Sequence, residues 1–161
     1  MLLPFIKKVN NVPGDGHCAY YAASQALCQI LGVPGKGAKY KLKDAWFKVR
    51  KEVRCELVTS PSPVWAKFLR DDYEMVKSNV LVESVRAPAG RDKWLDPVFL
   101  GFPLANAFGR PVLKVSKDQS STYLPLCTGP GKLLNLAWIV MAFVQGNHLV
   151  EVESDDEGGV P

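Results

Sequence analysis

Apolar residues recur at the helical period through most of the chain and at the strand period towards its end. Ala23, Ala26, Leu27, Ile30 and Leu31 keep the i, i+3, i+4, i+7, i+8 spacing of a core-facing helix over residues 19–31, closed by Gly32 with Pro34 beyond. After a basic loop, Gly35 to Lys41, the stripe Leu42, Ala45, Trp46, Val49, Val53 and Leu57 predicts a second helix. A third, capped by Ser60 or Ser62, presents Trp65, Phe68, Leu69, Tyr73 and Val76 on one face. Ser84 to Lys93 reads as a polar loop. Asp96 before Pro97 is a cap followed by proline at the first helical position, and predicts a fourth helix to about Ala107, with Gly101 and Pro103 counting against it. Residues 111–115, 122–126, 136–144 and 148–152 carry the β-branched and aromatic side chains of strands, and Gly146-Asn147 suits a tight turn making the last two a hairpin. Helices first and strands after predict an α+β fold, a helical lobe packed on a mostly antiparallel sheet.

Composition narrows the class. A chain of 161 residues, 47 % hydrophobic and 22 % charged, suits one globular domain over 1–153 with an acidic, glycine-rich, flexible tail at 154–161. The net charge of +4 is mild, and its densest stretch, Lys36 to Lys51, reads as a solvated helix face, so no nucleic-acid partner is expected. Leu133 to Val144 is too short to span a bilayer and is interrupted by Asn135, while Met1 to Ile6 is too short for a secretory segment; no membrane role is expected. Cys18, Cys28, Cys55 and Cys127 have no metal-ligand spacing and read as reduced thiols of a cytoplasmic protein needing no metal or cofactor. A monomer is the expectation.

Candidate chemistry concentrates in Pro13-Gly14-Asp15-Gly16-His17-Cys18-Ala19-Tyr20. A cysteine at the start of a helix, behind a glycine-rich turn, meets the positive end of the helix dipole, which favours thiolate. Gly14 and Gly16 are free to take positive φ and to aim N–H groups into a concavity, as an oxyanion hole requires. Cys18 reads alternatively as a small buried hydrophobe; the turn, Asp15 and the helix favour the nucleophile. The chain has two histidines. His17 adjoins Cys18 but diverges from it at a helix start, and reads as a loop or substrate-channel residue. His148 shares a strand face with Val150 and Val152, where it reads either as a satisfied core residue or as the base a cysteine peptidase needs. Asp15 reads equally as a turn residue.

An aspartate three residues before a cysteine in Gly-Asp-Gly-x-Cys, with a histidine opening a strand about 130 residues later, resembles the ovarian tumour (OTU) family of papain-like cysteine proteases, most of which remove ubiquitin. Trp94, the helix-like stretch 96–108 and Arg110 to Val115 are similar to the family in order, so the resemblance spans roughly 9–152. It implies Cys18 as nucleophile, His148 as base, and Asp15 shaping an oxyanion loop with Gly16, His17 and Cys18. Ubiquitin or ubiquitin-like conjugates are the implied partners, cleaved after the modifier's C-terminal glycine, with Trp94, Trp65 or the 78–93 loop as candidate docking surface.

The chain also departs from the family pattern. Where many members carry Asp or Asn two positions after the histidine, this one has Val150; Asn147, or Asp15, is the nearest polar substitute. Ala19 and Tyr20 stand where relatives usually have leucine and phenylalanine. These differences suggest a divergent member, of the kind a virus or mobile element encodes, acting then in host cytoplasm. Two other readings stay open: a viral-type polyprotein-processing cysteine protease, with Gly158-Gly159 as a self-cleavage site, and an inactive ubiquitin-binding module.

Overall fold

The computed structural model describes residues 6–30, 42–58, 63–81, 88–94, 96–126, 129 and 136–154. The expected loop at 35–41, the caps Ser60 and Ser62, Cys127 and the tail from 155, with Gly158-Gly159, lie outside them. In chain order the elements are β1 (Ile6–Asn10), α1 (Cys18–Ile30), α2 (Leu42–Val58), α3 (Pro63–Leu69), α4 (Tyr73–Val80), α5 (Pro97–Phe108), β2 (Val112–Ser116), β3 (Ser121–Tyr123), β4 (Ile139–Val144) and β5 (His148–Ser154). The strands form one sheet in the order β1-β5-β4-β2-β3. The β2–β4 pair is parallel and the other three are antiparallel. The fold is α+β, as the element order implied.

One face of the sheet carries the helices. Ala19, Ala22, Ala23 and Ala26 are all buried, and small residues at that spacing let α1 lie close on β4 and β5. α5 covers β2 and β3, and α2 closes the layer against α1 and α5. Trp46, Val53, Leu100, Leu104, Ile139, Met141 and Leu149 meet in this core. The opposite face buries a smaller cluster of Leu113, Val140 and Val152. The central strand β4 therefore contributes to both cores, which explains its unbroken apolar sequence.

Several expectations change. The third helix divides into α3 and α4 around a 3-10 turn at Arg70–Asp72, where Arg70 takes φ 48°. The break preserves the apolar face (Trp65, Leu69 and Val76 are all buried), so periodicity does not reveal it. Asp96 caps α5 as expected, its Oδ1 accepting the Val98 N–H at 2.8 Å. Gly101 and Pro103 sit inside that helix: a Cβ on Gly101 would fall 2.5 Å from the Tyr123 ring, so the glycine permits close packing on β3. β3 ends at Tyr123 instead of 126, since Pro125 has no N–H for a ladder. β1 was not expected at all; it is an edge strand, largely exposed on both faces, with no alternation to read.

β1 is pinned to β5 from the helix side. Asn10 Nδ2 donates to Glu151 Oε2 and, at 2.7 Å, to Glu153 Oε1. Glu151 is fully buried, and burial pushes its carboxyl above the ordinary 4.5 against the opposing bond from Asn10. An acid raised in this way contributes stability below its unfolded pKa and loses it as pH rises through the folded value. Glu151→Gln never ionises, so it should gain stability relative to the parent between about pH 4 and about pH 7. Urea denaturation at the two pH values checks this; a pH-independent difference would speak against it.

Candidate active site

The loop before α1 is built around Asp15. Its Oδ1 accepts the His17 N–H at 3.1 Å, its Oδ2 lies 3.4 Å from the Tyr21 hydroxyl, and its carbonyl accepts the Ala89 N–H at 2.8 Å. The proton on Tyr21 is held more tightly than usual, first by burial and then by the facing Asp15 carboxylate. Both carboxylate oxygens thus serve the loop itself. The His17 N–H is bonded to one of them, so it is not free to donate elsewhere. The His17 carbonyl accepts from Tyr20 and Tyr21 N–H, so Cys18 is the first residue of α1, its N–H among the donors with no partner inside the helix. Its thiol is half-buried.

Gly16 takes φ 88°, and a Cβ there would lie 2.5 Å from the Ala89 carbonyl oxygen and 2.6 Å from Trp94 Nε1. The turn therefore needs glycine for conformation and for space. Gly16→Ala is expected to cost about 2 kcal/mol and, by displacing Cys18, to lower turnover by about 10²-fold. Thermal melts and initial rates check both; wild-type values for the pair would show that the loop tolerates a side chain.

His17 is not a channel residue. It is 2 % exposed, stacks on Trp46 with ring centroids 4.0 Å apart, and places Nδ1 3.0 Å from Arg50 Nη1. A guanidinium only donates, so Nδ1 accepts and the ring proton sits on Nε2. Arg50, itself 1 % exposed, also donates to the carbonyls of Val80 (3.2 Å), Asn79 and Lys93 (3.0 Å). One buried cation thereby joins the loop before α1, α2, the end of α4 and the segment leading to Trp94. Sequence reasoning missed it, although Arg50 falls on the apolar stripe of α2 between Trp46 and Val53, where a charge signals a buried partner.

His148 opens β5, just past the hairpin turn. The two central turn residues are Gln145 and Gly146, with φ 54° and 73°, and Asn147 N–H closes the turn on the Val144 carbonyl at 3.4 Å. The turn thus sits one residue earlier than Gly146-Asn147. Asn147 is exposed, and the described partner of the His148 ring is another residue: His148 Nε2 lies 3.0 Å from Asn11 Oδ1. Asn11, just after β1, escaped sequence reasoning because β1 did; the Asn10-Asn11 pair closing a short β-branched run was its only trace.

Cys18 and His148, 130 positions apart, line the same open cleft of about 630 Å³ with Gly14, Gly16, Asn11 and Trp94. Among its described lining residues these two alone carry a thiol or an imidazole. Trp94, fixed by its indole N–H to the Ala89 carbonyl at 3.1 Å, also borders a second groove of about 530 Å³ that includes Met75 and Val98. Trp65 is buried in the core and offers no docking surface. Among the described residues no cluster of His, Cys, Asp or Glu fits a metal ion, and no helix is long and apolar enough to cross a membrane.

No family model and no curated protein sequence matches this chain. Solved structures do. The viral OTU domain protease from Dera Ghazi Khan virus is 16 % identical with a TM-score of 0.58, over 96 % of this chain and 85 % of that one. An OTU deubiquitinase from Wolbachia pipientis wMel is 14 % identical with a TM-score of 0.55, over 94 % and 91 %. The Hazara virus OTU bound to ubiquitin is 13 % identical with a TM-score of 0.53, over 97 % and 86 %. The chain has the fold these domains share.

Proposed function

We propose that this OTU-fold chain is a cysteine peptidase that hydrolyses the peptide or isopeptide bond after the C-terminal glycine of ubiquitin or a ubiquitin-like protein. The observation that carries the reading is the shared cleft: a half-buried thiol at a helix N-terminus and an imidazole from the far end of the chain face one concave space. An OTU deubiquitinase and an OTU domain bound to ubiquitin among the structural neighbours support the substrate class.

In this mechanism His148 accepts the Cys18 proton, and the thiolate adds to the glycyl carbonyl, forming a C–S bond. The resulting oxyanion is held by the backbone N–H groups of Gly16 and Cys18, aided by the positive end of α1. The C–N bond then breaks as the imidazolium gives its proton to the departing amine, leaving a thioester on Cys18. Water, deprotonated by His148, attacks that carbonyl; the C–S bond breaks and the carboxylate of the modifier is released. Asp15 acts through the loop and takes no proton.

The test is hydrolysis of a ubiquitin whose C-terminal carboxyl is amide-linked to a fluorescent amine. Time-dependent amine release by the wild type, sharply slowed in His148→Ala, is the expected outcome. Intact substrate after prolonged incubation with the folded protein would refute the reading and favour an inactive ubiquitin-binding domain.

A further inference from the structure

We propose that Asn11 is the positioning residue that fixes the tautomer and orientation of His148, supplying from β1 what Val150 cannot supply from β5. The inference rests on the reading of Cys18 and His148 as nucleophile and base.

Two hydrogen bonds define the atom that faces the imidazole. The Val12 backbone N–H lies 3.0 Å from Asn11 Oδ1, and a backbone N–H only donates, so that atom is the amide oxygen and not its nitrogen. The same oxygen is 3.0 Å from His148 Nε2. An amide oxygen only accepts, so Nε2 carries the ring proton and the lone pair of the neutral ring is on Nδ1. Nδ1 is then the nitrogen left to take the Cys18 proton. When the imidazolium forms, the Nε2–H bond to Oδ1 persists, so the ring need not turn between steps.

Among the described residues no other group facing the cleft is placed for this role. The lining contains no carboxylate among those residues, Val150 is 3 % exposed and apolar, and Gln145 and Asn147 are exposed on the hairpin turn. Asp15, the other candidate, has both carboxylate oxygens engaged by His17 and Tyr21.

The placement of Asn11 is itself enforced. Asn10 and Asn11 project to opposite faces at the end of β1, as successive residues of a strand do. Asn10 is clamped to Glu151 and Glu153 on the helix side, and the ladder pairs Asn10 with Glu151 and Val9 with Val152. A slip of one residue would exchange the two faces, burying Asn11 and removing it from His148. The helix-side clamp thus sets the register that delivers the cleft-side contact.

Three readouts test the proposal with Asn11→Ala and Asn11→Asp. Asn11→Ala should lower kcat on the ubiquitin amide by about 10²-fold, less than the full contribution of a general base, with KM little changed. Asn11→Asp, which keeps the acceptor, should recover to within about tenfold of wild type and move the alkaline limb of the pH–rate profile upward, because a carboxylate favours the imidazolium. A third readout, alkylation of Cys18 by iodoacetamide mapped by mass spectrometry, needs no ubiquitin recognition. Asn11→Ala should slow it about tenfold near pH 6, where thiolate depends on its imidazolium partner. Wild-type kcat and alkylation in Asn11→Ala would overturn the proposal. So would equal losses in both variants with an unmoved pH profile, the mark of a merely structural role. If the wild type cleaves no ubiquitin substrate, the functional reading fails while alkylation still decides the role of Asn11. If Asn11→Ala does not fold, the pH profile of Asn11→Asp decides it.

Discussion

Cys18→Ala is expected to reduce cleavage of di-ubiquitin by at least about 10⁴-fold, to background. The substitution removes the atom that forms the covalent bond and leaves everything else in place. Ala is small, has high helix propensity, and follows the pattern of Ala19, Ala22 and Ala23 along α1. Thermal stability should therefore stay close to wild type, and binding of ubiquitin should persist. His148→Ala removes only the base and should retain a slow reaction that recovers partly at high pH, where hydroxide generates thiolate. The two variants separate chemistry from folding when rates and melting curves are measured on the same samples. Full di-ubiquitin cleavage by Cys18→Ala would remove the nucleophile from the account.

Arg50→Ala should be the most damaging substitution outside the cleft. It deprives the carbonyls of Asn79, Val80 and Lys93 and the His17 ring of their donor in a site nearly closed to water. Buried acceptors left unbonded cost about 1–3 kcal/mol each, with relaxation and entering water offsetting part, so a loss of about 3 kcal/mol is expected. For a chain of this size that lowers the melting temperature by about 10 °C. Burial already draws the Arg50 pKa below its ordinary value, and the guanidinium also lies 4.7 Å from the Tyr20 ring centroid, so charge and packing are lost together. Arg50→Lys should rescue little, because an ammonium cannot span four separate acceptors with the geometry of a planar fork. Turnover should fall with stability, since His17 then loses the contact that anchors the nucleophile loop. A melting temperature within about 2 °C of wild type for Arg50→Ala would show that water replaces the guanidinium at little cost.

The architecture was legible where burial imposes a period. α1, α2 and α5, and the strands β2, β4 and β5, each show one buried face or a double-sided apolar run, and the sequence pattern follows directly from it. The nucleophile loop was legible for another reason: glycines around an aspartate and a cysteine encode backbone conformation locally. What escaped detection had no local cause. β1 is half-exposed and owes its position to β5, across more than 140 positions. The division of α3 from α4 leaves the apolar stripe intact. His17 and Asn11 depend on Arg50 and His148, partners far along the chain, so neither residue's role can be read from its neighbours. The empty orienting position at Val150 was visible in the sequence; its replacement was not, because it comes from a strand that periodicity does not detect.

In the proposed reaction the Cys18 sulfur, activated by His148, attacks the end of ubiquitin. Ubiquitin carrying an electrophile at its C-terminus, incubated with the folded protein and followed by intact mass and peptide mapping, addresses it directly. Addition of one ubiquitin, mapped to Cys18, is expected, with the rate sharply reduced in His148→Ala. No adduct, or an adduct on Cys28, Cys55 or Cys127, would contradict it.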